Sequence, residues 1–96
     1  MSGADEEAVV YMLRCADGTL YTGWTNDIKK RLAAHNAGTA AKYTKPRRPV
    51  TLAYLEPCDG KSAALRREAA IKRLPKSEKE RMVAEWAVHF ESDDRH

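Results

Sequence analysis

Two short runs near the start of the chain, Ala8 to Arg14 (AVVYMLR) and Leu20 to Trp24 (LYTGW), are rich in β-branched and aromatic residues and read as strands. An Asp17-Gly18 pair between them marks a hairpin. The length of its loop decides which side chains share a face. A two-residue turn on Asp17-Gly18 pairs Arg14 with Tyr21 and leaves Tyr11 on the opposite face. A three-residue loop, Ala16 to Gly18 with Gly18 left-handed, pairs Leu13 with Tyr21 and puts Tyr11 and Tyr21 on one face. The second arrangement is the one expected.

The apolar period then changes. Ile28, Arg31, Leu32 and His35 fall at i, i+3, i+4 and i+7, which predicts a helix from about Asn26 to Ala37. Thr25 or Asn26 is its expected cap, Asp27 complements its dipole, and Gly38 ends it. Gly38 to Arg48 reads as a loop. Pro49 to Glu56 (PVTLAYLE) alternates as a third strand, closed by Pro57. A second helix is expected from about Ser62 to Leu74, stopped by Pro75. A third begins at Ser77, with Ser77 and Glu80 as a capping box and an apolar stripe of Met82, Val83, Trp86 and Phe90. The order β-β-α-β-α-α predicts an α+β domain, a mostly antiparallel three-stranded sheet packed with helices.

At 96 residues the chain is one small domain, able to bury about two thirds of its unfolded surface. No apolar run is long enough to span a bilayer, and the acidic start lacks the apolar segment of a secretory signal, so the expected location is the cytoplasm. Cys15 and Cys58 stand far apart and read as two thiols rather than a disulfide; the scattered histidines give no zinc pattern. The net charge of +3 hides a polarity along the chain. Acidic residues gather in 1–7 and 91–96, read as tails, whereas the 8–90 body holds 16 Lys or Arg against 8 Asp or Glu, a net +8. Such a body suits a polyanionic partner.

Three positions break the apolar pattern. Ala64, Glu68 and Ile71 stand at i, i+4 and i+7, so a carboxylate sits in or beside the buried stripe of the second helix. It is either a boundary residue paired with a nearby arginine or a metal ligand or catalytic acid held at a cleft floor. Arg31 and His35 raise the same question on the first helix. Two tyrosines on a hairpin, an Arg and His on one helix and a Glu on another together supply proton acceptors, a fixed cation and a hard-metal ligand. Phosphodiester hydrolysis needs all three. The run Lys42-Tyr43-Thr44-Lys45-Pro46-Arg47-Arg48 is either a solvated loop or a clamp on a phosphate backbone, with Tyr43 free to stack or hydrogen-bond.

In this order the residues resemble the GIY-YIG nuclease family, and most closely its small stand-alone bacterial members. The signature tripeptides appear as Val9-Val10-Tyr11 and Tyr21-Thr22-Gly23, followed by Arg31, His35 and Glu68, and the Lys42-Tyr43-Thr44 run is shared. Thr22 replaces the usual isoleucine, and no asparagine follows Glu68. The resemblance implies a metal-dependent endonuclease acting on DNA in repair or processing. Its catalytic residues would be Tyr11, Tyr21, Arg31, His35 and Glu68. It further implies one Mg²⁺ or Mn²⁺ held by Glu68 as sole protein ligand, and one tyrosine, Tyr11 or Tyr21, acting on the attacking water. Lys42, Tyr43, Lys45, Arg47, Arg48 and Lys72 are the expected DNA contacts. A monomer without membrane association is expected, with RNA or a protein partner as further options. The alternative is a non-catalytic nucleic-acid-binding module, but a carboxylate beside the phosphates repels them unless a cation intervenes.

Overall fold

The computed structural model describes the backbone of residues 7–94 and the side chains of residues 7–89. Strands β1 (Glu7–Arg14) and β2 (Leu20–Thr25) form the hairpin, and helix α1 (Ile28–Ala37) follows. A loop with one 3-10 turn (Lys45–Arg47) leads to β3 (Thr51–Asp59), then α2 (Gly60–Lys72) and α3 (Lys76–Asp94). The α+β class and the order β-β-α-β-α-α are those expected from the sequence. All pairing is antiparallel in the order β2-β1-β3, so the most apolar strand is central.

The hairpin takes the three-residue loop. Leu13 pairs with Tyr21 and Tyr11 with Gly23, while Gly18 has a φ of 88° that an L side chain rarely adopts. Each face of β1 then builds its own core. Ala8, Val10 and Met12 pack with Ala64 and Ile71 of α2 and with Met82 and Val83 of α3. Tyr11, Leu13, Cys15 and Val50 pack with Ile28 and Leu32 of α1. A bulge at Ala53 lets β3 serve both cores: Leu52 pairs with Leu13 on the α1 side, and Tyr54 with Met12 on the other.

Several boundaries differ from expectation for local reasons. Asp27, not Thr25 or Asn26, caps α1, accepting from the Lys30 N–H, while Thr25 Oγ1 accepts from the Asp27 N–H. Strand β3 continues through Pro57, which an edge strand tolerates because a missing N–H can face outward. It passes straight into α2 through Gly60, whose φ of 90° makes a corner without a loop, so α2 starts at Gly60 rather than Ser62 and ends at Lys72 rather than Leu74. The Ser77–Glu80 capping box does not form. The Glu78 and Lys79 N–H groups donate to the Pro75 carbonyl, and Glu80 instead accepts a two-pronged bond from Arg14 at 2.6 and 2.7 Å. That pair ties α3 to the sheet. Both cysteines are free thiols, Cys15 buried and Cys58 half-buried. The Phe90 side chain and residues 1–6, 95 and 96 lie outside the described residues, whereas Glu7 pairs with Asp59 within the sheet.

Candidate active site

The hairpin register carries the Tyr11 ring over Gly23, so close that a Cβ on Gly23 would lie 2.6 Å from Tyr11 Oη. From the other side α1 brings His35, whose Nε2 is 2.8 Å from that hydroxyl; both residues are buried. Burial pushes the imidazole below its ordinary 6.5, and the Arg31 charge adds to the effect. The neutral ring is therefore favoured, and a neutral ring has one N–H and one acceptor nitrogen to offer the hydroxyl. Burial pushes the Tyr11 phenol well above its ordinary 10; Tyr21 acts in the same direction, Arg31 opposes it, and Glu68 raises it further. The charges of Arg31 on α1 and Glu68 on α2 thus act in opposite senses on one phenol.

An aromatic pile extends outward from this pair. Tyr21 lies 5.1 Å from His35 and 6.5 Å from Tyr11, ring centre to ring centre. Tyr43 stacks on Tyr21 at 6.0 Å, and the Arg47 guanidinium lies 3.9 Å above the Tyr43 ring. Tyr43 is thus already engaged, with only part of its ring exposed, which leaves less of it to stack on a base than the sequence suggested. Arg47 also pairs with Asp17 of the hairpin loop at 3.0 Å and donates to the Tyr43 carbonyl at 2.8 Å, so the basic loop is fastened to the hairpin. Arg48 is likewise used internally, donating to the Lys45 and Asn36 carbonyls.

Lys42 and Lys45 have exposed ammonium groups with no partner among the described residues. Lys45 and Arg48 help line an open concavity of about 480 Å³ with Asn36, Pro46 and Pro49. Arg31 is exposed, at the flank of the α1 core face, and lines a smaller hollow of about 220 Å³ with Thr25, Asn26, Asp27, Lys30 and Ala34. Glu68 lies on α2, across the sheet from α1. Its side chain is 18% exposed and its carboxylate is paired with Lys72 at 3.3 Å rather than with an arginine. Among the described residues no three of His, Cys, Asp and Glu form a metal cage. This donor set does not suit a caged transition metal. A hydrated hard cation fits it, because such an ion keeps most of its waters and takes one or two carboxylates.

Two contributors, one buried and one exposed, carried no clear sequence signal. Thr44 is fully buried and sits 2.8 Å from His35 Nδ1. Asn36 bonds both the N–H and the carbonyl of Val50, joining α1 to the approach of β3. A glycine opposite Tyr11 was visible once the hairpin register was fixed.

The family profile described as GIY-YIG catalytic domain matches residues 7–81. A UPF0213 protein of Halobacterium salinarum is 55% identical over 71 residues, covering 74% of this chain and 92% of its own. A UPF0213 protein of Streptococcus pyogenes serotype M5 is 50% identical over 92 residues, covering 95% and 97%. Two solution NMR structures share the fold at 38% identity. A UPF0213 protein from Bacillus halodurans has a TM-score of 0.53 over 81% of this chain and 83% of its own. A protein from E. faecalis has 0.59 over 86% and 88%.

Proposed function

Because this chain belongs to the GIY-YIG catalytic domain family, we propose that it is a metal-dependent endonuclease that hydrolyses DNA phosphodiester bonds, with residues 8–90 as the nuclease domain. The observation that carries the reading is the cluster around one phenol: Tyr11 Oη stands 2.8 Å from His35 Nε2, Tyr21 packs against both rings, and the charges of Arg31 and Glu68 act on the same hydroxyl. Glu68 would hold the ion, displacing Lys72, and the fit rests on a half-buried acid whose one partner among the described residues is an exposed lysine. When bound, a divalent ion supplies charge neutralisation at the phosphate and the leaving oxygen.

The protein's own groups then divide the work. A phenol pushed this high is not a phenolate at neutral pH, so Tyr11 can act as a base only if its proton leaves as it takes another. His35 Nε2 receives it. Tyr11 Oη takes a proton from the attacking water, its own proton passes to Nε2, the water oxygen bonds to phosphorus, and the bond to the leaving deoxyribose oxygen breaks, that oxygen keeping the bonding pair and taking a proton from solvent. Arg31 is placed to meet the charge that grows on the non-bridging oxygens. Tyr21 packs against both ring systems and walls the relay on its outer side. Lys42 and Lys45 supply unpaired cations for the DNA backbone, with Arg48 exposed beside them. A module that only bound DNA would have no use for Glu68 near the phosphates.

The test is nicking of supercoiled plasmid by purified protein with Mg²⁺, with Mn²⁺ or with EDTA. Metal-dependent nicking is expected. Salt-sensitive DNA binding with no nicking under any metal would favour the binding module instead.

A further inference from the structure

We propose that Thr44 is a positioning residue that holds His35 in its Nδ1–H tautomer, so that Nε2 offers its lone pair to the Tyr11 hydroxyl. The inference rests on the relay just described. A neutral imidazole has one N–H and one acceptor nitrogen, and the partner at one decides the role of the other. His35 has a partner 2.8 Å away at each: Tyr11 Oη at Nε2 and Thr44 Oγ1 at Nδ1.

Only one assignment satisfies every hydrogen. With the proton on Nδ1, Tyr11 donates to Nε2, Nδ1–H donates to Thr44 Oγ1, and the Thr44 hydroxyl donates to the Ala41 carbonyl at 3.3 Å. With the proton on Nε2, the ring donates to Tyr11, and the Tyr11 hydroxyl hydrogen has no acceptor among the described residues. Tyr11 is 2% exposed, so a water accepting that hydrogen would have to be held where the attacking water is to stand, whereas Nε2 is already in place 2.8 Å away. Free histidine prefers the proton on Nε2, the form that cannot accept from Tyr11. Thr44 reverses that preference by presenting an acceptor to Nδ1.

The backbone keeps the hydroxyl in place. The Lys45 N–H donates to the Ala41 carbonyl and the Arg47 N–H to the Thr44 carbonyl, so Thr44 sits between two turns rather than in a loose loop. Core packing asks only for its volume, which valine would also fill; the hydroxyl has the ring as its purpose.

The experiment is nitrogen-15 NMR of the His35 ring at neutral pH in the wild type, Thr44→Val and Thr44→Ser, with plasmid cleavage measured on each. The wild type and Thr44→Ser are expected to show a protonated Nδ1 and a bare Nε2, whereas Thr44→Val moves the proton to Nε2. Thr44→Val is also expected to cleave roughly 10- to 100-fold more slowly at saturating DNA with KM unchanged, part of the roughly 10²–10⁴-fold that a positioned base supplies. Thr44→Ser keeps the rate. A wild-type ring protonated on Nε2, or a Thr44→Val ring that stays protonated on Nδ1, overturns the proposal. If Thr44→Val does not fold, the wild-type spectrum decides. The tautomer is read without DNA, so failure of the nuclease reading shows separately, as absence of nicking by the wild type.

Discussion

Replacing Gly23 by alanine tests the packing on which the relay depends. In a strand this change ordinarily helps, because alanine reduces the freedom of the unfolded chain and returns about 0.4–1 kcal/mol. Here the new Cβ would lie 2.6 Å from Tyr11 Oη, 2.8 Å from its Cζ and 3.2 Å from Tyr21 Cε2. Tyr11 is enclosed, so its ring must shift within the core and lose the 2.8 Å bond to His35. Overpacking costs about 1–3 kcal/mol and stranding a buried polar group about 1–3 more. After the entropy return, the expected net loss is about 1–5 kcal/mol, centred near 3. For a domain of this size each kcal/mol shifts Tm by about 4–8 °C, so the central value of about 3 kcal/mol corresponds to a fall of roughly 12–24 °C by calorimetry. The cause is checked with Tyr11→Phe, which removes the nearest clashing atom. Alanine at 23 should cost at least about 1 kcal/mol less in that background, read from a double-mutant cycle. A Gly23→Ala protein within about 0.5 kcal/mol of wild type, or strictly additive with Tyr11→Phe, would refute the reasoning.

The His35 shift sets a pH dependence. Its folded value lies below the ordinary 6.5, so on acidification the unfolded chain takes the proton first, and stability is lost as pH falls through 6.5 towards the folded value. Cleavage should fall over the same acid range, and an NMR titration of Arg31→Gln should move His35 back up towards 6.5; an unchanged titration would remove Arg31 as a cause. In DNA binding, Lys42→Ala and Lys45→Ala should each flatten the slope of log affinity against log salt by about 0.9, whereas Arg47→Met should leave that slope alone and lower the unfolding midpoint. The reverse pattern would make Arg47 a phosphate contact and the two lysines bystanders.

Much of this was legible in the sequence where one local rule governs. Asp17-Gly18 marked the hairpin, and its three-residue loop put Tyr11 and Tyr21 on one face; that the Tyr11 ring lies across Gly23 is seen only in the folded strand pair. The i, i+3, i+4, i+7 spacing brought Arg31 and His35 to one side of α1, but it could not separate the buried histidine from the arginine at the exposed flank. What escaped depends on tertiary position. Pro57 reads as a strand terminator until β3 is known to be an edge, and Gly60 reads as loop until it is seen turning β3 straight into α2. The 42–48 run has no period at all. That Thr44 is buried under His35, and that Arg47 is spent on Asp17 and Tyr43, follows from the loop docking onto the hairpin, which no spacing within the loop reveals.

The claim that Glu68 is the metal-holding carboxylate of a nuclease is tested most directly by Glu68→Gln. This variant keeps the side chain's size and removes only its charge. The measurement is single-turnover plasmid cleavage in Mg²⁺ beside DNA binding in EDTA. Cleavage should fall to background while binding stays equal to wild type or tightens, because a charge that repels phosphate has gone. Cleavage at the wild-type rate would contradict the account and remove Glu68 from the chemistry.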